Sequence, residues 1–345
     1  MRAFRFYEAG APWRLEDIPT PSVGAHDVLV RIKASGICGS DLHYAHGRVA
    51  PSKTPITLGH EVAGVVERTG DRVSSVAVDE RVCVHYIVSC GSCVHCSQGR
   101  DNRCRNRQSI GHHLDGGFAE YILVPERNAF RLPGEIPFDQ GAIIGCAVST
   151  PFHALRVGEF QPGDAVAVFG LGGVGMHAVA WARALGAGLV IGIDIVDFKL
   201  GLARELGADE VIDANEADPV ETIMGLTDGW GVDLALECAG HEKTVEAAVK
   251  SVGGRSRYES GRVVCVALYT KPVTIPGAWT LREGALRRSG DHTGDELRRV
   301  IQLVKAGRID LSRSITHRLP FEELPRGLKI LDEKGEDVIR VVLLQ

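Results

Sequence analysis

The spacing of apolar residues changes near position 150. Up to about residue 135, short β-branched runs alternate with glycine and proline, as in VLVRI at 28–32, EVAGVV at 61–66 and RVCV at 81–84. Runs of that length bounded by turn formers predict the strands of a β-rich domain with loops. The opening residues, 1–8, read as one more amphipathic strand. Beyond 150 strands and helices alternate. Residues 165–169 are apolar throughout, 174–185 form an apolar helix, 189–194 form a strand and a helix follows to 206. Strands at 210–213, 232–237 and 262–267 continue the series. Strands with no polar face imply a parallel sheet covered on both sides. Near the end, helices are predicted at 295–305 and 321–331, then a strand at 338–344. That last strand needs a partner, and the β-rich first domain offers one.

A chain of 345 residues is too long for one ordinary core and suits two domains. Its 44% hydrophobic and 24% charged residues are those of a globular protein. A formal charge of −5 gives no general attraction to nucleic acid or anionic membrane. The N-terminus carries no apolar run of the signal-peptide kind, and the most apolar region, 165–196, is broken by glycines and Arg183. The expectation is a cytoplasmic protein with a small-molecule substrate and no nucleic-acid or membrane partner. The nine cysteines matter through their spacing. Four of them, Cys90, Cys93, Cys96 and Cys104, crowd one short segment, which in a large intracellular chain points to metal rather than disulfides.

Three motifs carry chemistry. Gly170-Leu-Gly172-Gly173-Val174-Gly175 directly follows a strand and opens a helix. Glycines there permit a tight turn and let backbone N–H groups approach a pyrophosphate at the helix N-terminus. Asp194 closes the next strand, where an acid accepts hydrogen bonds from both ribose hydroxyls and repels a 2′-phosphate. NAD is therefore expected over NADP. The second motif, C-x2-C-x2-C-x7-C at 90–104, can wrap four thiolates around one ion as a closed structural zinc site. An iron–sulfur reading shares its start, but that pattern continues with three residues and Cys-Pro, whereas here seven intervene and Arg105 follows. The third comprises Cys38, His60 and Cys146, which offer two thiolates and one imidazole with a position left open, a known catalytic zinc arrangement.

With these motifs in order, the sequence resembles the zinc-containing medium-chain alcohol dehydrogenases across essentially its whole length. The matching segments are GICGSDLH at 36–43, LGHEVAG at 58–64, CGSCVHCSQGRDNRC at 90–104, GGFAEYILVP at 116–125, GCAVST at 145–150 and GLGGVG at 170–175. The resemblance implies an α/β protein with a β-rich GroES-like catalytic domain, residues 1–147 and 289–345. A Rossmann coenzyme domain with a doubly wound parallel sheet would occupy 148–288. It implies two zinc ions per chain, one held by Cys38, His60 and Cys146 with Glu61 as an occasional ligand, the other by Cys90, Cys93, Cys96 and Cys104. Asp41 matches a residue that orients His60. Ser40 and His43 match the two ends of a proton relay. Thr150 matches a residue near the nicotinamide, Lys199 one near the adenosine ribose, and Arg340 one near the pyrophosphate and Glu61.

The activity so implied is zinc-dependent hydride transfer between a primary or secondary alcohol and NAD, interconverting alcohol and aldehyde or ketone. Two departures bear on substrate. Gly39 stands where several animal enzymes carry a phosphate-binding arginine. HYAHGR at 43–48 looks like polyol dehydrogenases of the sorbitol or butanediol type, which commonly place Glu where Cys146 stands. A polyol dehydrogenase is thus the alternative on the same fold. From other classes, the rivals are a non-enzymatic protein that binds NAD and zinc, and a nucleic-acid-binding zinc module, the latter disfavoured by the acidic charge. The family forms dimers and tetramers, and the short span between Cys104 and Gly116 leads us to expect a homotetramer, with a homodimer as the other possibility.

Overall fold

A computed structural model describes residues 1–253, 261–269, 272–275, 284–333 and 337–345. The chain divides into two units, Met1–Ser149 with His292–Gln345, and Thr150–Asp291.

The first unit is built around a long strand, Asp27–Ile37, whose inward residues Val28, Val30 and Ile32 are buried. Its partners are Glu61–Thr69 on one side and the final strand Arg340–Leu344 on the other, both antiparallel, with Tyr121–Pro125 pairing along its first half. Arg81–Val84 and Ala129–Arg131 extend the sheet beyond Glu61–Thr69, and Ile315–Pro320 lies parallel beyond the last strand. The predicted C-terminal strand thus pairs within the β-rich unit, two residues shorter than its apolar run. The opening segment forms the strand Arg2–Arg5, paired with Arg14–Asp17, and buries Phe4 and Phe6. A capping box of Thr293 and Glu296 starts the helix Gly294–Lys305.

The second unit holds six parallel strands in the order Glu210–Asp213, Leu189–Asp194, Ala165–Phe169, Leu234–Glu237, Arg262–Cys265 and Ala285–Arg288. Counted along the chain this is 3-2-1-4-5-6, the doubly wound order in which dinucleotides bind where the winding reverses. The reversal lies between Ala165–Phe169 and Leu234–Glu237. Two strands are shorter than their apolar runs. Val232 makes only an isolated bridge to Val252, and the chain leaves the sheet after Cys265. At the first of these apolar character reports burial rather than pairing, since Val232 is fully buried outside the ladder. Among the described residues, no helix is long and apolar enough to cross a membrane.

Candidate active site and metal centres

The glycine loop lies at the reversal of the sheet. Gly170 turns the chain with φ of +89°, and a Cβ there would meet Ala239 at 2.7 Å. A Cβ on Gly175 would lie 1.8 Å from the Gly170 carbonyl oxygen, so only glycine lets the helix Gly173–Ala184 pack on the turn. Gly172, by contrast, faces open space within 4 Å. The cradle is therefore closed on its protein side and open on the other, with the N–H groups of the first helical turn, Gly173 and Val174 among them, available to an anion. Asp194 Oδ2 accepts the Leu171 N–H at 2.6 Å and Oδ1 the Ile195 N–H at 2.8 Å. The carboxylate thus fixes the loop while each oxygen keeps a lone pair for a further donor. Lys199 is the third residue of the helix Asp197–Glu205, and Thr150 lies in the first turn of Ser149–Val157.

The four-cysteine lobe fits a metal by distance. Zinc–sulfur bonds of about 2.3 Å in a tetrahedron separate the sulfurs by about 3.8 Å. The Sγ spacings are 3.6 Å for Cys93–Cys96, 3.9 Å for Cys93–Cys104 and 4.0 Å for Cys90–Cys96. Cys104 Sγ also accepts the Cys90 N–H at 3.3 Å. All four donor atoms lie within 4.8 Å of one another.

A second cluster gathers Cys38, His60, Glu61 and Cys146, again within 4.8 Å. Cys38 follows the central strand and caps the helix Gly39–Ala45, His60 precedes the strand Glu61–Thr69, and Cys146 sits in the π-helical turn Ile144–Val148. Cys38 and His60 are 9% exposed and Cys146 8%. The donors favour a cation. Contact with Cys146 and then His60 holds the Cys38 thiol well below its usual range against its burial, while the same contact pushes Cys146 up. Burial opposes charge on His60, yet Cys38, Asp41 and Glu61 push it up to about 9.

Glu61 is wholly buried and ion-paired to Arg340 of the final strand. Its approach depends on Gly36, where a Cβ would fall 2.0 Å from Glu61 Oε2. Burial first raises Glu61 to about 7, with Arg340 opposing. Asp41 Oδ2 accepts the Cys38 N–H at 2.8 Å, and its Oδ1 has no hydrogen-bond partner. Ser40 Oγ, His43 Nδ1 and Glu61 Oε1 are likewise buried without one. Such atoms are rare in a finished core, and a bound ligand is one way their bonding is completed.

Some polar contacts escaped sequence reasoning. Tyr44 and His112 meet at 2.8 Å between hydroxyl and Nδ1, which pins the loop before Gly116 to the helix carrying Ser40 and His43. His85 meets His292 across 207 positions. Neither pair has a spacing signal, because each comes from segments that only tertiary folding joins.

Comparison with known proteins agrees with this architecture. Residues 24–134 match the alcohol dehydrogenase GroES-like domain, and residues 173–306 the zinc-binding dehydrogenase family. The chain is 36% identical to an L-threonine 3-dehydrogenase of Bacillus subtilis (strain 168), over 92% of this chain and 91% of that protein. It is 37% identical to a sorbitol dehydrogenase of the same organism over 76% and 75% of the two chains. A solved zinc-binding dehydrogenase from Sinorhizobium meliloti 1021, bound to NADP, superposes with a TM-score of 0.90 at 34% identity, covering 100% of this chain and 99% of its own. The glycine cradle and the thiolate clusters fit the nicotinamide cofactor and zinc of that lineage, and the chain belongs to the zinc-dependent medium-chain alcohol dehydrogenase family of oxidoreductases, with polyol-dehydrogenase features.

Proposed function

We propose that this protein is an NAD-dependent dehydrogenase of a small alcohol, with a catalytic zinc on Cys38, His60 and Cys146 and a structural zinc on Cys90, Cys93, Cys96 and Cys104. The observation that carries it is the Cys38–His60–Cys146 cluster, two thiolates and an imidazole slightly exposed beside unpartnered buried polar atoms. Zinc held there supplies Lewis acidity that lowers the pKa of an alcohol oxygen. Ser40 Oγ would take the alcohol's proton while giving up its own toward His43, which would release it to solvent. Burial, followed by the charge of Arg48, lowers the His43 pKa, so His43 is neutral and ready to receive that proton at physiological pH. Asp41 secures the Cys38 backbone, and Glu61 with Arg340 keeps a carboxylate beside the ligands without leaving its charge alone.

NAD is preferred over NADP in this reading because Asp194 stands where a 2′-phosphate would bring negative charge, and exposed Ile195 follows rather than an arginine. The names of the relatives point to L-threonine and sorbitol, both of which carry a secondary hydroxyl beside another polar carbon. A secondary alcohol of that kind supports the polyol-like HYAHGR segment and is the favoured substrate class. The test is a screen of primary, secondary, polyol and hydroxy-amino-acid substrates with NAD and NADP, alongside Cys38→Ser. Turnover that needs no thiolate at position 38, or none on any alcohol, overturns the proposal.

A further inference from the structure

A row of polar groups, half-buried at Asp101 and buried beyond it, leads from the four-cysteine lobe to the Cys38–His60–Cys146 cluster, and the chemistry above uses none of it. Asp101 lies between Cys96 and Cys104. Its carboxylate accepts the Gly294 N–H, at 3.1 Å to Oδ2 and 3.3 Å to Oδ1, at the start of the helix Gly294–Lys305. Asp101 Oδ2 also stands 3.5 Å from His85 Nε2. The other ring nitrogen of His85, Nδ1, is 3.1 Å from His292 Nε2. His85 is 2% exposed and His292 is fully buried.

This order favours one tautomer. With the carboxylate beside Nε2, the His85 tautomer that carries its proton there leaves Nδ1 to accept from His292 Nε2–H. Burial opposes the charge of Asp101, but His85 and the Gly294 N–H outweigh it and keep the carboxyl below its ordinary value. Gly294 itself must be small. A Cβ there would stand 3.1 Å from the Phe130 ring and 3.3 Å from Asp101 Oδ2.

The inner end of the row meets the ligand cluster through Tyr86. Its ring lies 5.6 Å from His292 and 5.0 Å from His60, edge-on in both cases. The backbone around it is held as well. Buried Asn128 donates to the carbonyls of His85 at 2.7 Å and Ile87 at 2.8 Å, and the Tyr86 carbonyl accepts the Ile110 N–H at 3.0 Å.

We propose that Asp101, His85 and His292 act as a chain of positioning residues that fixes Tyr86 against His60, so that the four-cysteine lobe orients a ligand of the catalytic metal. The inference rests on reading Cys38, His60 and Cys146 as that metal's site. It gives the lobe a role beyond folding: through Asp101 it sets one end of a row of polar contacts whose other end packs on the imidazole. Partners that orient a metal-ligating histidine change affinity or activity by about 10- to 100-fold when removed.

The test uses the full chain reconstituted with cobalt(II), whose visible absorption reports ligand geometry at each site. Cys38→Ser identifies the bands that belong to the catalytic cluster. If it removes none, the reading of that site fails, whatever the chain of histidines does. With those bands assigned, Asp101→Ala is expected to shift them and to lower kcat about tenfold with little change in the cofactor KM. Asp101→Asn should restore most of both, because an amide oxygen still accepts from His85 and Gly294. The double variant Asp101→Ala/His85→Ala should be no worse than the more affected single one, as for groups acting in one row. Should Asp101→Ala also disturb the lobe's own bands, His292→Gln, which lies away from the lobe, decides the matter. Cys38-dependent bands and kcat both unchanged in a folded His292→Gln protein overturn the proposal.

Discussion

Glu61 and Arg340 lie 279 positions apart in the chain and form an ion pair sealed from solvent, with exposures of 0% and 3%. They meet because the strand Asp27–Ile37 pairs with Glu61–Thr69 along one edge and Arg340–Leu344 along the other, and because Gly36 between them has no side chain. Removing one partner of a buried pair leaves the other charge uncompensated, which costs about 3–5 kcal/mol. Arg340→Met should therefore destabilise the first unit by that order, read from urea unfolding. Arg340→Lys should restore only part, since one ammonium cannot replace a planar fork. Unchanged unfolding in Arg340→Met would mean that the pair contributes nothing.

In the coenzyme unit, Glu237 ends the strand Leu234–Glu237 fully buried, bonded through Oε1 to the Ala239 and Gly240 N–H groups and the Thr244 hydroxyl, and through Oε2 to Tyr269. Burial raises its pKa above the ordinary 4.5, with Thr244 and the backbone donors opposing. An acid whose folded pKa is raised favours the protonated folded state. Its contribution is complete below the unfolded pKa and is lost as pH rises through the folded one. Wild-type stability should therefore fall, relative to Glu237→Gln, as pH climbs from 4.5. Melting curves of both proteins from pH 4.5 upward check the sign; parallel curves would refute it.

Legibility in the sequence followed the range of each interaction. The glycine loop and the C-x2-C-x2-C segment are local, so periodicity and spacing revealed them before any coordinates. The three-ligand site is not local. Cys38, His60 and Cys146 lie on separate elements, so their ligand chemistry suggested the set and the family resemblance assigned it. The Asp101–His85–His292 row lay beyond both. Its members are common residue types in unremarkable contexts, and strand pairing with helix docking brings them together. Strand ends were misjudged for a related reason: residues such as Val232 and Val338 are buried without belonging to a ladder.

The four-cysteine lobe should behave as a folding element. Cys104 is 6% exposed and 3.9 Å from Cys93, so Cys104→Ser breaks the proposed closed site, whose metal affinity would be part of the folding free energy. A loss of about 3 kcal/mol would lower Tm by roughly 6–12 °C in a chain of 150–250 residues, and a smaller drop is expected for one this long. A strong chelator should bring the wild type down to the variant's Tm and leave the variant there. Turnover of the folded variant at low temperature should fall less than for Cys38→Ser. A variant that keeps its Tm would remove the structural role.

The proposed preference for NAD rests on Asp194. Its oxygens hold the Leu171 and Ile195 N–H groups, so Asp194→Ala loses both the repulsion of a 2′-phosphate and part of the loop's support. NAD affinity should fall and the preference over NADP should narrow or reverse. Asp194→Asn keeps an acceptor for the loop while removing the charge, and so isolates repulsion. The readout is the ratio of kcat/KM for the two cofactors. An unmodified protein that works better with NADP would defeat the assignment.

The proton path can be separated from the metal. Ser40 Oγ and His43 Nδ1 are both buried without a hydrogen-bond partner, on the helix that Cys38 caps, which is the state expected of groups waiting for a substrate hydroxyl and a cofactor ribose. Cys38→Ser and Cys146→Ala should lose or distort the catalytic metal, and turnover should collapse with the metal content. His43→Ala should retain metal and NAD affinity and slow hydride transfer by about 10- to 1,000-fold, overlapping the range for one acid–base group. Small amine buffers should restore part of that rate by collecting the proton. Ser40→Ala should be slower still, because in the proposed relay Ser40 is the first acceptor and His43 the second. The measurement is the single-turnover rate of NADH formation against pH. A His43→Ala protein with the wild-type rate and pH profile would reduce His43 to a helix residue, and the proton would have to leave by another route.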